Sequence, residues 1–257
     1  MNGDFETLEV HLPENQRPQD AEYYRQLNEY YTASAGSNVD KLRAFPKFVP
    51  VAELGRFLAK SRIFERVLQV PGSVVECGVF GGGGLMTWAA LSAILEPLNH
   101  VRRVIGFDTF EGFVRTSPRD GAESANRAAV AGGLAADSAD DIARCAAIFD
   151  LYRPLGHIPK IELVKGDALA TIPDYLDRNP HLVVSLLYLD FDLYEPTRCA
   201  LERFVPRMPK GAVIAFDELN HRAWPGETMA LVDTLGIRSL RLERFPFQPQ
   251  IAFACLD

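Results

Sequence analysis

The sequence has no apolar run approaching the ~20 residues needed to cross a bilayer. Its first residues, Met1-Asn2-Gly3-Asp4-Phe5-Glu6, are acidic and carry no apolar core of the signal-peptide kind. A cytoplasmic protein without a membrane partner is the expectation. Positive charge is also short: 27 Lys and Arg stand against 34 Asp and Glu, a net charge of −7. That balance argues against nucleic acid as the main partner, because phosphate backbones select basic surfaces. Cysteine is scarce, with Cys77, Cys145, Cys199 and Cys255 widely spaced and no C-x-x-C among them. Each lies in an apolar pattern, which predicts reduced core thiols, and no Cys/His cluster suggests zinc. No internal repeat is visible. What the 257 residues do have is hydrophobic content, 47%, enough for a sizeable core.

Residues 1–50 differ in character from the rest. Asp20 to Tyr31 reads as a helix with an aromatic stripe at Tyr23, Leu27, Tyr30 and Tyr31, and Pro13, Pro18, Gly36, Pro46 and Pro50 punctuate the region. It is too short and polar to hold a core alone, so it is expected to be a helical lid or oligomerisation arm before a domain over 51–257. Val51–Leu68 is an amphipathic helix with Leu54, Phe57, Leu58, Phe64, Val67 and Leu68 on its apolar face. Strands are then expected at Val74–Cys77, Val104–Phe107, Ile161–Val164, Val183–Leu189 and Ala212–Phe216. All five are short and apolar on both faces, as in a parallel sheet covered by helices. Helices are expected at Leu85–Leu95, from Ser138 (with Asp141 completing a capping pattern) and after Glu195. Ile237–Phe245 and Gln250–Leu256 suggest a closing antiparallel pair. The fold class is α/β: a doubly wound seven-stranded sheet with an antiparallel last strand. The interval Thr109–Lys160 is long, polar at Arg115–Gly121 and Ala/Gly-rich at Ala128–Ala136, and it follows the second strand near the expected ligand edge.

In such sheets ligands sit outside the carboxyl ends of the strands. Five strand ends deliver acids: Glu76, Asp108, Asp167, Asp190 with Asp192, and Asp217 with Glu218. Packing explains so many poorly, because crowded carboxylates repel. Glu76-Cys77-Gly78-Val79-Phe80-Gly81-Gly82 is E-x-G-x-x-x-G, and Phe80 stands where a dinucleotide motif has its second glycine. An acid there suits a cationic ligand better than a pyrophosphate. Asp108 suits ribose hydroxyls, and together they describe S-adenosylmethionine, whose carboxylate the following helix N-terminus favours. Gly78, Val79, Phe80 and Gly82, then Asp108 with Thr109 and Phe110, and also Asp190, are the candidate cofactor contacts. The glycines are expected to let the backbone approach the ligand. Asp167 either receives the adenine amino group or caps the next helix.

Asp190, Asp217 and Glu218 end adjacent strands and offer the hard oxygen ligands that Mg²⁺ takes. Alternatively some of them cap helices or pair with Arg198, Arg203 or Arg222. A metal there would hold a substrate hydroxyl and lower its pKa. Asp192 and His221 are candidates to take the proton, with Asp190 beside them, since imidazole titrates near neutral pH. His11, His100, His157 and His181 lie away from these ends. Tyr194 and Trp224 either line a sugar-sized pocket or pack. Arg115, Arg119 and Arg222 are the cations available to a phosphate.

Four segments occur in order: Val75-Glu-Cys-Gly-Val-Phe-Gly-Gly82, Phe107-Asp-Thr-Phe-Glu-Gly112, Leu189-Asp-Phe-Asp-Leu-Tyr-Glu-Pro-Thr197 and Ile214-Ala-Phe-Asp-Glu218. Together they resemble the macrocin O-methyltransferase family over about residues 70–257. The resemblance implies a class I methyltransferase (Rossmann-like) fold, S-adenosylmethionine as donor and S-adenosylhomocysteine as product, Mg²⁺, a homo-oligomer and a sugar hydroxyl as acceptor in antibiotic biosynthesis. It places Glu76, Gly78, Gly82 and Asp108 in the cofactor motif. Asp190, Asp217 and Glu218 match the metal carboxylates, and Asp192 matches the second acid of the family's D-x-D. Two departures are visible: Phe191 where members often have glycine, and Glu218 where they have a second aspartate. Competing readings are a catechol-type O-methyltransferase, which shares the metal logic, an NAD-dependent oxidoreductase, which Phe80 opposes, and a non-catalytic nucleoside-binding protein, which the five acidic strand ends oppose.

Overall fold

The computed structural model of the chain describes residues 17–121 and 129–257. The acidic start, His11, Pro13 and residues 122–128 of the long interval lie outside the described residues. The chain divides into two compact units, up to Arg56 and from Phe57 onward. The first carries α1 (Pro18–Ala33), which begins with a Pro at its first turn, and α2 (Asn38–Arg43), which Ser37 and Asp40 close with a capping box. Helix α3 (Val51–Arg66) contains the boundary.

In the second unit β1 (Ser73–Cys77), α4 (Gly83–Leu95), β2 (Val104–Asp108), α5 (Ala139–Asp150), β3 (Ile161–Lys165), α6 (Ala168–Arg178), β4 (Val184–Leu189), α7 (Tyr194–Phe204) and β5 (Val213–Phe216) alternate. Helix α8 (Gly226–Thr234) and the hairpin β6 (Glu243–Phe245) and β7 (Gln248–Cys255) follow. The seven strands run in the order β3-β2-β1-β4-β5-β7-β6. The first five are parallel, and β7 is antiparallel to both neighbours. The order reverses between β1 and β4, so the crevice where such sheets bind ligands lies over these two strand ends.

Alternation along each strand supplies two cores. Val75, Cys77, Ile105, Phe107, Leu187, Leu189, Ile214 and Phe216 face one way, against residues of α6, α7 and α8. Val74, Val104, Leu186, Tyr188, Val213 and Ala215 face the other, against residues of α3, α4 and α5. That is why both registers of every central strand are apolar.

Four expectations need correction. The last hairpin is shorter on one side: 237–239 form a 3₁₀ turn after Gly236 (φ +75°), and β6 begins only at Glu243. Helix α3 buries Ala59, Lys60, Ile63 and Phe64, while Phe57 and Leu58 are exposed, so the buried face is rotated to admit a lysine. Ser138 makes no cap on α5; its hydroxyl donates instead to the Phe80 carbonyl. Cys145 is exposed on α5, and Cys255 is only partly covered.

Candidate active site

Backbone strain is concentrated at one edge. Six non-glycine residues with positive φ occur among the described residues. Four of them, Phe80, Phe110, Asp192 and Asn220, lie in the loops leaving the carboxyl ends of β1, β2, β4 and β5. Left-handed backbone at a Cβ-bearing residue costs about 1–2 kcal/mol, and such residues cluster where geometry serves a function.

The glycine-rich turn is tighter than its sequence suggests. Gly78 has φ +95°, and a Cβ there would overlap the Asp190 carbonyl oxygen. The Asp190 amide donates to the Cys77 carbonyl (2.7 Å), so the start of the turn and the start of the acidic loop share one backbone junction. Gly82 (φ +82°) would place a Cβ 2.7 Å from Ile142, and a Cβ on Gly84 would overlap the Glu76 carboxylate and the Lys60 ammonium. At these three glycines the protein's own atoms occupy the space a Cβ would take. Gly81 and Gly83 are the ones with open space around them, and both are exposed.

Glu76 faces inward. It is 1% exposed, pairs with Lys60 Nζ at 3.0 Å and accepts from Trp88 Nε1 at 3.3 Å. Burial pushes its pKa up, and the Lys60 charge opposes this. Glu76, expected to face a cationic ligand, meets Lys60 and Trp88 through Oε1, because α3 turns a lysine into the core, and its Oε2 has no hydrogen-bond partner. Asp108 stays at the edge: Oδ2 accepts the amides of Val79 (2.7 Å) and Phe80 (2.9 Å), and Oδ1 accepts that of Phe110 (2.7 Å). It fixes the positive-φ turn from the next strand. Thr109 accepts from the Glu111 amide and donates to the Gly112 carbonyl, while Phe110 is buried, so both shape the β2 loop. Asp167 is the N-cap of α6, accepting from the Leu169 amide (3.0 Å), and pairs with Arg115 at 2.6 Å. The capping alternative is the one the structure contains.

The acids of β4 and β5 form one cluster. Asp190 leaves β4 beside the turn, and the Asp217 amide donates to the Leu189 carbonyl (2.9 Å) across the two strands. Asp217 is buried and accepts the Tyr188 hydroxyl; the Lys60 ammonium lies 4.2 Å from that ring's centre. Lys60 thus touches the supports of both halves of the edge, Glu76 and Tyr188. The sequence reading overlooked Glu227 in the first turn of α8, which is wholly buried and accepts the Glu218 amide at 3.2 Å. Burial first, and then the charges of Glu218, Asp190, Asp192 and Asp217, push its pKa far above the usual carboxylate range. Its Oε1 is enclosed without a hydrogen-bond partner. An acid in a helix's first turn ordinarily serves the helix dipole, so nothing in the sequence separated Glu227 from that role. Arg198 pairs with Glu195 and Glu202 and not with these acids.

Among the described residues no three His, Cys, Asp or Glu side chains converge closely enough to enclose a metal ion. The carboxylates are of the hard-donor type that a divalent cation takes, and Glu227 Oε1 beside them has no hydrogen-bond partner. His221 sits in the turn after Glu218, to whose carbonyl its amide donates, with Nδ1 enclosed and unpaired. Tyr194 and Trp224 pack: the Tyr194 hydroxyl donates to Asp233 (3.0 Å), and Trp224 lies edge-on to Phe113. Arg119 pairs with the same Asp233 (2.5 Å) over the Tyr194 ring.

Comparison with known proteins supplies the remaining facts. The sequence model of the family Macrocin-O-methyltransferase (TylF) matches residues 57–233. A crystal structure of CalS11, a calicheamicin methyltransferase, is 32% identical with TM-score 0.89, covering 99% of this chain and 98% of that one. An apo structure of CalS11, described as a TDP-rhamnose 3'-O-methyltransferase of calicheamicin biosynthesis, is 32% identical with TM-score 0.81, covering 97% and 98%. The O-methyltransferase NovP shares the fold at 20% identity and TM-score 0.62, covering 79% and 80%. No curated protein sequence matches.

Proposed function

Because the chain belongs to the macrocin O-methyltransferase family and is therefore an S-adenosylmethionine-dependent O-methyltransferase, we propose that its acceptor is a hydroxyl of a nucleotide-linked deoxysugar. On this reading it serves antibiotic biosynthesis, in line with its similarity to CalS11 of calicheamicin biosynthesis. The observation that carries the reading is the junction of Gly78 with Asp190, which sets the glycine-rich turn directly against an acid cluster. A donor held by the turn would lie beside an acceptor held by the acids.

Bound, S-adenosylmethionine would supply an electrophilic methyl group, and Mg²⁺ a positive charge that makes an acceptor hydroxyl more acidic. The residues of the chain do the rest. Gly81 and Gly83 offer open backbone to the donor, and Asp108, already holding three amides, keeps about one lone-pair site for a ribose hydroxyl. Asp190, Asp217 and Glu218 would hold the metal. Asp192, in its left-handed loop, or His221 would take the hydroxyl proton. Holding the two reactants in line accounts for most of the acceleration expected of such a site. Four exposed tyrosines on α1, Tyr23, Tyr24, Tyr30 and Tyr31, support a homo-oligomer, for which light scattering should give at least twice the chain mass.

The test is transfer of labelled methyl from S-adenosylmethionine, with Mg²⁺, to TDP-rhamnose, other nucleotide deoxysugars and a catechol. Product with a nucleotide sugar and none with the catechol is expected. The reverse preference would replace this reading with the catechol-type one.

A further inference from the structure

Three consecutive residues in the first turn of α8 each engage one of the acidic loops. A Cβ on Gly226 would overlap the Asp192 carbonyl oxygen and lie 2.6 Å from the Tyr194 amide nitrogen, so α8 packs backbone-to-backbone on the β4 loop. Glu227 Oε2 accepts the Glu218 amide at 3.2 Å. Thr228 Oγ1 accepts the Asn220 amide at 2.8 Å, where φ is +66°. One helical turn therefore touches Asp192 on one loop and Glu218 and Asn220 on the other. The body of α8 reinforces the grip, since Asp233 accepts the Tyr194 hydroxyl and pairs with Arg119. Nearby, Asp120 Oδ1 accepts the Tyr194 amide at 2.5 Å.

We propose that the first turn of α8 is a bracket that fixes the spacing of the two acidic loops, with Glu227 and Thr228 as positioning residues for the acceptor half of the site. The inference rests on the functional reading above for its kinetic consequence, but not for its geometry. The two loops are over-determined. Asp192 and Asn220 both hold left-handed backbone, which persists only where surroundings enforce it. The enforcing contacts come from adjacent residues of one rigid element, so the loops cannot shift independently. A displacement near 1 Å at a reacting group costs about 10²-fold in rate. Gly226, Glu227 and Thr228 make these contacts with the two acidic loops, whereas the Val79 and Phe80 amides of the glycine-rich turn are held by Asp108. Loss of the bracket should therefore separate donor from acceptor.

The experiment uses the full chain with S-adenosylhomocysteine bound, comparing Glu227→Ala, Glu227→Gln, Thr228→Val and Thr228→Ser. Hydrogen exchange is read at the amides of Glu218, Asn220, Val79 and Phe80. Methyl transfer is measured with TDP-rhamnose, and S-adenosylhomocysteine affinity by calorimetry. In Glu227→Ala the Glu218 amide, and in Thr228→Val the Asn220 amide, should exchange about tenfold faster, as expected when a hydrogen bond of ordinary strength is lost. The amides at 79 and 80 should stay protected. Acceptor kcat/KM should fall about tenfold or more with donor-product affinity unchanged. Glu227→Gln and Thr228→Ser, which keep the accepting oxygen, should restore both. Unchanged exchange at 218 and 220, equal loosening at 79 and 80, or acceptor kinetics within twofold of the parent would each overturn the proposal. If Glu227→Ala does not fold, Thr228→Val decides, because it keeps the side-chain shape at a partly exposed position. If the parent transfers no methyl to TDP-rhamnose, the functional reading fails, and the exchange comparison still decides the bracket.

Discussion

Gly78 and Lys60 show how single residues set this edge. At Gly78 the backbone needs a positive φ and has no room for a Cβ, because the Asp190 carbonyl occupies that space. Gly78→Ala should lower the melting temperature, and should weaken S-adenosylhomocysteine binding by about tenfold or more, since strain at such positions costs 1–3 kcal/mol; calorimetry measures both. Lys60 is the partner of a wholly buried carboxylate. Lys60→Met leaves Glu76 uncompensated and should cost about 3–5 kcal/mol in urea unfolding, whereas Lys60→Met with Glu76→Leu should recover most of it, because a buried pair replaced whole is often near neutral. Equal losses in the single and double variants would contradict the pairing. Glu76 and Gly78 were visible in the sequence as a motif. Lys60 was not, because patterning assigns a lysine to the solvent face, and here burial of its stem and pairing of its charge reverse that assignment.

At the scale of elements, the five parallel strands were legible because each is short and β-rich and is followed closely by an acid, although β3, with Glu162 and Lys165, is less apolar than the other four. The last hairpin was less so, since 237–242 keep a strand-like composition while Gly236 turns the chain away. The polar network under the strand starts was also illegible. Arg102 is buried there, pairs with Glu96 (2.7 Å) and donates to the carbonyls of Gly72, Val67 and Val70. Beside it Lys160 donates to the carbonyls of Asn99 (2.6 Å) and Arg102 (2.9 Å). Burial lowers the Lys160 pKa from 10.5 to about 8. The unfolded chain then binds more protons than the native one between those values, so stability should rise with pH across that window. The gain is on the order of 1–3 kcal/mol, since one pKa unit corresponds to about 1.4 kcal/mol. Urea titrations at pH 7.5 and 10 on the parent and Lys160→Met check the sign: the difference between the two proteins should move in favour of the parent at the higher pH.

Across the sheet, the strand order reverses between β1 and β4, and the glycine-rich turn and the Asp190 loop leave the ends of these two strands. The sequence indicated where the acids would gather, because strand ends on one edge of a parallel sheet share a neighbourhood whatever their spacing in the chain. It did not indicate which partners the acids would take. Glu76 goes to Lys60, Asp167 caps α6, and Glu227 joins from a helix, all through side-chain packing that no motif records. Among the described residues no helix is long and apolar enough to cross a membrane. The glycine-rich turn and the acid cluster are adjacent yet separable, and Asp190 is where they meet. The most direct test is Asp190→Ala, which alters the cluster's side chain and leaves the Asp190 backbone against Gly78 intact. S-adenosylhomocysteine affinity within about threefold of the parent, less than 1 kcal/mol, with methyl transfer abolished, is the predicted result. Methyl transfer that persists in this variant with EDTA present would contradict the account.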